Sequence, residues 1–281
     1  MCENQSSFRS SHTVSQAFVP PPNAPPVSQR DTPKFHSREH RNLSARAFES
    51  GAYDYHKARP SYPTHVLDML EVSANAKLLD VGCGTGKLTE QLKERGHHVF
   101  ALDPSEDMVR TLQSHLEVPT WIATAEQTSA ASGTFDAITC AQTWHWLDAG
   151  LASKEFDRIT STSGQVLLVW NTLDVSVPWV HRLSRIMHSG DTLKEGFIPT
   201  FYDPWFIKKE VRLTWSQPMS VPSIHLLTHT RSYWLRSSEK TREKVTANLS
   251  WYLNEHLGFS DTDLIELPYR CDAFLLSKKH R

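Results

Sequence analysis

Leu78-Leu79-Asp80-Val81-Gly82-Cys83-Gly84-Thr85-Gly86-Lys87-Leu88-Thr89 is the stretch on which the fold turns. It opens on a short apolar run, Lys77 to Val81, that stops at glycine, which predicts a buried strand. Lys87 to Arg95 places Leu88 and Leu92 four apart, with Gly96 at a C′ position, which predicts a helix. Between the two, glycines alternate with other residues, so few side chains obstruct the bend and a ligand can approach its backbone. The helix N-terminus behind it carries N–H groups and the positive end of a dipole, suited to a carboxylate or phosphate.

Spacing narrows the ligand. A nucleoside triphosphate loop has the form G-x-x-x-x-G-K-[ST]; here Val81 stands in place of the first glycine and Leu88 in place of the hydroxyl. A dinucleotide loop prefers G-x-G-x-x-G, and here the third glycine, Gly86, comes one residue early. The remaining candidate is S-adenosyl-L-methionine, with its methionine end over the loop. Asp103 lies about 20 residues beyond Gly82, at the end of a second strand (His98 to Leu102), where a carboxylate can accept from ribose hydroxyls. Met108, one turn into the helix that Ser105 would cap, is placed to pack on an adenine face or to fill the core.

Outward from this stretch, strand and helix signals alternate. A helix is predicted from about Pro63 to Val72, a third strand at Trp121 to Ala123, a fourth at Phe135 to Cys140 and a fifth at Gln165 to Trp170. A helix from about Asp148 to Ile159 lies between the last two. Past Asn171 the pattern loosens into a helix at Val180 to His188 and an aromatic stretch near Phe201 to Phe206. A strand at Glu210 to Trp215, a helical region at Ser223 to Leu257 and a closing strand at Tyr269 to Leu276 complete it. Such alternation predicts an α/β fold: a doubly wound, mostly parallel, seven-stranded sheet. Five of the nine tryptophans follow Asn171 (Trp179, Trp205, Trp215, Trp234, Trp251), which suggests an aromatic cap suited to an apolar substrate.

Residues 1–45 are rich in Ser, Pro, Asn and Gln, a composition that predicts a disordered tail. Arg38, His40, Arg41 and Arg46 make its end weakly basic, as a solvated linker or a partner-binding arm would be. Residues 46–281 would form the working domain, with a cofactor-binding core at 48–171, a cap and substrate region at 172–262 and a closing strand at 263–281. A net charge of −1 offers no bulk field for nucleic acid or an anionic membrane. The four cysteines, Cys2, Cys83, Cys140 and Cys271, have neither metal-ligand nor stapling spacing, and no run approaches a membrane span, so a cytoplasmic protein without a bound metal is expected.

Leu79-Asp80-Val81-Gly82-Cys83-Gly84-Thr85-Gly86 resembles the first motif of class I S-adenosylmethionine-dependent methyltransferases. Ala101-Leu102-Asp103-Pro104-Ser105 with Met108 resembles their second motif, and Phe135-Asp136-Ala137-Ile138 their fourth strand. Tyr55-His56-Lys57-Ala58-Arg59-Pro60-Ser61-Tyr62-Pro63 and Ala141-Gln142-Thr143-Trp144-His145-Trp146 are similar to the small-molecule branch that includes trans-aconitate methyltransferase. The resemblance implies a Rossmann-like fold and bound S-adenosyl-L-methionine. Asp80 would hold the loop and the methionine amino group, with Gly82, Gly84 and Gly86 against the methionine portion and Asp103 on the ribose. Relatives often carry Asp before Ala-Glu after the third strand, whereas this chain has Thr124-Ala125-Glu126, so adenine recognition would rest on the Ala125 backbone or on Glu126. Tyr55, Arg59 and Gln142 complete the expected cofactor set.

Transfer from a sulfonium mainly requires alignment of the acceptor and exclusion of water. A carboxylate acceptor needs no base, whereas a hydroxyl or ammonium does. His145, just beyond the fourth strand between Trp144 and Trp146, is the candidate base, or else an idle member of an aromatic cluster. Arg59 would pair with the methionine carboxylate or an anionic substrate, Tyr53, Tyr55 and Tyr62 would close over the cofactor or fill core, and Asn171 would donate to substrate or cap its strand. His181, Arg182 and Arg185 share a helix that would meet a carboxylate or face solvent. The expected activity is methyl transfer to an oxygen of a small molecule; the alternatives are a nucleoside-binding regulator without turnover and a nicotinamide-dependent oxidoreductase.

Overall fold

A computed structural model describes residues 27–31, 52–189 and 193–279. Strand β1 (Lys77–Val81) is buried from its second residue onward, as an apolar run covered on both faces must be. It lies between two parallel neighbours, β2 (His98–Asp103) and β4 (Phe135–Ala141). Helix α3 (Lys87–Glu94) joins β1 to β2, and α4 (Glu106–His115) joins β2 to the short β3 (Thr120–Ile122). Ser105 caps α4, accepting from Met108 N at 3.4 Å, as its sequence position predicts.

From β4 the chain passes through a 3₁₀ turn (Trp144–Trp146) and helix α5 (Ala149–Ile159) into β5 (Thr160–Leu173). Asp148 caps α5, its Oδ1 accepting from Gly150 N and Leu151 N at 3.1 Å each. Helix α6 (Pro178–Ile186) follows, then the edge strand β6 (Trp205–Met219). Helices α7 (Val221–His229), α8 (Ser232–Arg236) and α9 (Glu239–Ser250) lead into a π-helical turn (Trp251–His256) and the last strand, β7 (Ile265–Lys278). The seven strands stand in the order β3-β2-β1-β4-β5-β7-β6, with β7 antiparallel to both its neighbours. The order reverses between β1 and β4, so their carboxyl ends open a crevice of the kind in which doubly wound sheets bind ligands.

Alternate residues feed opposite faces of the sheet. Leu79, Ile138, Leu168 and Phe274 join Phe156 and Trp170 on one side; Leu78, Ala137, Leu167 and Leu275 join Leu88 and Leu92 on the other. A third cluster unites α6 (Val180, Leu183), α7 (Ile224, Leu227) and the end of α9 with its π turn (Leu249, Tyr252) over Leu173 and Tyr269. This helical layer sits at the carboxyl end of β5, beside the crevice. Two further segments precede the sheet: α1 (Ala52–Ala58) and α2 (Thr64–Leu67).

Three expectations change. The helix predicted to Val72 ends at Leu67, and tighter i→i+3 bonds carry Met69 and Leu70 into the core instead. Of the region expected to be cap, β6 is a strand of the main sheet. Two of the five late tryptophans belong to that strand: Trp205 is buried, with Nε1 donating to Ser153 O at 2.9 Å, and Trp215 lies on its surface toward Asn171. Most of the expected tail, with its basic end, lies outside the described residues; of it, Arg30 O accepts from Lys194 N at 2.8 Å and Asp31 pairs with Lys194 Nζ at 2.9 Å. Among the described residues no helix is long and apolar enough to cross a membrane.

Candidate active site

The glycine bend leaves β1 and is bound at once to the end of β2. Gly82 N and Cys83 N donate to Leu102 O at 2.8 and 3.0 Å, and Gly86 N to Cys83 O at 2.9 Å. Gly84 N donates to Asp103 Oδ2 at 3.0 Å, while Asp103 Oδ1 accepts from Ser105 N at 2.8 Å. Four amides expected to face a ligand are therefore bonded inside the protein, and the carboxylate at the tip of β2 clasps the bend. Asp103 is 9% exposed, and burial pushes its carboxyl above the ordinary range.

Gly82 and Gly84 explain the glycines. At Gly82, with φ +68°, an added Cβ would lie 2.2 Å from Thr143 Cγ2, because Thr143, at the end of β4, packs beneath the bend and donates from Oγ1 to Gly82 O at 3.1 Å. At Gly84, with φ +53°, a Cβ would meet nothing within 4 Å, so that side of the bend is open. Asp80 lies below, 1% exposed, accepting from Thr89 Oγ1 at 2.7 Å and Thr139 Oγ1 at 2.8 Å. It thus ties α3 and β4 to β1, and burial raises its pKa to about 6.

The remaining expected residues spread along the same edge. Met108 and Ala125 are buried, and Glu126 Oε1 accepts from Asp148 N at 2.9 Å. Gln142 has a left-handed backbone, φ +54°, uncommon without glycine. Its Nε2 donates to Asn171 O, and its Oε1 is buried without a partner. From α1, Arg59 lies over the Tyr55 ring at 4.9 Å and donates from Nη2 to Thr230 O at 3.2 Å; its Nε is buried without a partner. No carboxylate pairs with Arg59 among the described residues.

Several expectations are corrected here. His145 reaches the expected edge, but its Nδ1 accepts from Trp170 Nε1 at 3.2 Å, so that nitrogen is not waiting for a proton. Asn171 does not present its amide outward: Nδ2 donates to Ser61 O at 3.2 Å and Oδ1 accepts from Trp215 Nε1 at 2.9 Å. Tyr53 is 76% exposed. Arg182 stacks over Trp251 and Tyr252, at 5.4 and 5.3 Å. A cavity of about 420 Å³ lies on α7, lined by His225, His229, Ser250 and Asn254 and not by the glycine bend. Sequence reasoning passed over His56, whose Nδ1 is hydrogen-bonded to Thr85 Oγ1 at 3.1 Å, and Thr143; both stood within motifs already singled out.

Known proteins match this arrangement. Residues 79–168 match the model of a methyltransferase domain family. An uncharacterized methyltransferase of Mycobacterium tuberculosis is 33% identical over 235 residues, covering 83% of this chain and 95% of its own. The chain belongs to the class I S-adenosylmethionine-dependent methyltransferases. The oxidoreductase and the turnover-free regulator give way to this assignment. A ubiquinone biosynthesis O-methyltransferase of Xanthomonas oryzae is 27% identical over 177 residues, 55% of the methyltransferase described here and 73% of its own length. A solved structure from Anaeromyxobacter dehalogenans, assigned as a type II methyltransferase, aligns with a TM-score of 0.55 at 22% identity, over 78% of this chain and 96% of its own, a likeness of fold.

Proposed function

We propose that this methyltransferase moves a methyl group to an oxygen of a small molecule, with S-adenosyl-L-methionine held along the crevice between β1 and β4. The observation that carries the cofactor site is the clasp of Asp103 on Gly84 N beside an open glycine face. Two orphaned polar atoms fit a zwitterion: the buried Gln142 Oε1 accepts, suiting an ammonium, and the buried Arg59 Nε donates, suiting a carboxylate. Tyr55, Arg59, Gln142 and the faces of Gly82, Gly84 and Gly86 would hold the methionine end. Asp80 would supply charge from beneath, Asp103 would accept from ribose, and Met108, Ala125 and Glu126 would border adenine. When bound, the cofactor supplies a sulfonium methyl group; the acceptor oxygen's electron pair forms the new C–O bond and the old C–S pair stays on sulfur as a neutral thioether.

A small acceptor suits the helical layer of α6, α7 and α9, which packs over Leu173 and Tyr269 at the end of β5. An oxygen suits the chemistry around it. An amine arrives protonated and requires a base, whereas a carboxylate requires none, and the His145 nitrogen nearest Trp170 is already engaged. The O-methyltransferase relative supports the same choice.

Calorimetry tests the cofactor site: S-adenosylhomocysteine should bind, NAD should not, and Asp103→Ala should abolish binding. Intact Asp103→Ala affinity refutes the assignment of the clasp. Labelled S-adenosyl-L-methionine with a small-metabolite extract should then yield a labelled ester or ether; label found only in protein, nucleic acid or amines refutes the acceptor.

A further inference from the structure

Residues 193–200 cross one face of the sheet near its carboxyl edge, held by side chains from several strands. From β7, Arg270 Nη2 donates to Leu193 O at 2.9 Å, and from β6, Arg212 Nη2 donates to Phe197 O at 2.6 Å. Just beyond β4, Trp144 Nε1 donates to Thr200 O at 2.8 Å. Leu193 and Phe197 are buried, and the Phe197 ring meets Trp170 edge-on at 5.2 Å. The segment thus contacts both tryptophans that adjoin His145, one its chain neighbour and the other the donor to its Nδ1.

Another grip on this segment comes from the start of the chain. Arg30 O accepts from Lys194 N at 2.8 Å, and Asp31 Oδ1 pairs with Lys194 Nζ at 2.9 Å. Within the arm, Ser28 Oγ accepts from Arg30 N at 3.4 Å. An exposed ion pair alone contributes little, but here main chain and side chain bind the same residue, so the arm fixes a backbone position as well as a charge. The arm holds one end of the segment and Trp144 holds the other.

We propose that residues 27–31 are a working part of the enzyme: Asp31, through Lys194, is a positioning residue that keeps segment 193–200 seated on Trp144 and Trp170 and so shapes the acceptor side of the crevice. This rests on the edge beyond β4 being where the acceptor binds. The clasp that carries the cofactor reading joins β1 to β2, whereas the segment lies on β4 to β7, so the arm acts on the acceptor and leaves cofactor affinity alone.

In full-length protein carrying 5-fluorotryptophan, the Trp144 and Trp170 signals are assigned by their loss in Trp144→Phe and Trp170→Phe. Asp31→Lys sets a second cation against Lys194 and should move or broaden both signals. Asp31→Lys combined with Lys194→Glu restores an ion pair and should return them. Calorimetry with S-adenosylhomocysteine should give wild-type affinity for each variant. Labelled S-adenosyl-L-methionine with a dilution series of the small-metabolite extract supplies the readout that packing alone would not move. The extract concentration at half-maximal labelling should rise about 3-fold in Asp31→Lys, the order an exposed ion pair carries, with the plateau rate kept and the swap restoring it. Unmoved fluorine signals, a swap that restores nothing, an unchanged half-maximal concentration, or cofactor affinity lost in step with it overturns the proposal. An extract that labels nothing with wild-type protein refutes the acceptor reading instead, and the fluorine signals with the swap then decide whether the arm seats the segment.

Discussion

Gly82 and Gly84 sit two residues apart with similar backbones, yet substitution should separate folding from binding. An Ala at either must hold a left-handed φ, which costs about 1–2 kcal/mol. At Gly82 its methyl would also drive into Thr143, 2.2 Å away, and the backbone of β1 or β4 must move. Gly82→Ala should therefore lose about 3 kcal/mol or more of stability, in line with other overpacked sites. Gly84→Ala meets no atom within 4 Å, so it should lose only the backbone portion while its methyl fills the open side proposed for the cofactor. Urea unfolding and calorimetry with S-adenosylhomocysteine distinguish the two. A Gly84→Ala protein that binds as tightly as wild type would mean that the open side faces no ligand. The glycine pattern was legible from sequence because spacing alone separates a phosphate loop from this bend. The partner of Gly82 was not, since Thr143 lies just past β4, 61 positions away in the hydrogen bond that joins them. His145 divides likewise: its place beyond β4 could be read, but its donor lies on β5.

The first four parallel strands were read to within a residue or two: β1, β2 and β4 are short, largely buried apolar runs, and the half-exposed β3 still carries Trp121 and Ile122. The strands beyond them were under-read for physical reasons. β5 begins with Thr160-Ser161-Thr162-Ser163, a polar entry whose pairing with Phe135 precedes a register shift. β6 is an edge strand whose exposed positions carry Lys208, Lys209 and Glu210, the charges that keep edges from pairing further, so it lacks an apolar signature. The outer strands do their work through a buried charge cluster. Asp272 of β7 is 0% exposed and accepts from Arg212 Nη1 and Arg270 Nε, each at 2.8 Å. The two guanidinium groups then donate to Phe197 O and Leu193 O, pinning the segment that carries Phe197 against Trp170. Asp272→Asn would leave Arg270 without its anion and Arg212 with only Glu210, at 3.6 Å. That should cost about 3 kcal/mol, near the low end for a broken buried pair because both arginines keep some solvent. The melting temperature should drop and protease should cut between residues 193 and 200; a variant as stable and as resistant as wild type would show the cluster to be dispensable.

At the scale of the whole molecule, the charge on buried groups sets an acid profile that can be read from both directions. His56, His181, His188, His225 and His229 all have pKa values lowered, first by burial. Each takes up its proton more readily when the chain is unfolded, so as pH falls below about 6.5 the unfolded state binds more protons and stability declines. Asp80 acts oppositely: raised to about 6 by burial, it is protonated in the fold before it would be in the unfolded chain, and below that pH it restores stability. Asp103 shifts in the same direction, also by burial. Glu155, held down to about 2 chiefly by Arg158, matters only in stronger acid, where its loss again destabilises. Between pH 7.5 and 6 the five imidazoles outweigh the opposing uptake at Asp80, so urea midpoints should fall across that interval and then flatten toward pH 5 as the two carboxylates respond. Asp80→Asn isolates the opposing contribution. A carboxyl held at about 6 rather than its ordinary 3.8 corresponds to roughly 3 kcal/mol, so the variant should lose about that much relative to wild type between pH 6 and 4. Midpoints that hold level or climb from pH 7.5 to 6 would mean that the five imidazoles are not desolvated by the fold. Parallel acid profiles for Asp80→Asn and wild type would mean that Asp80 is already ionised in place, which its burial beneath the bend argues against.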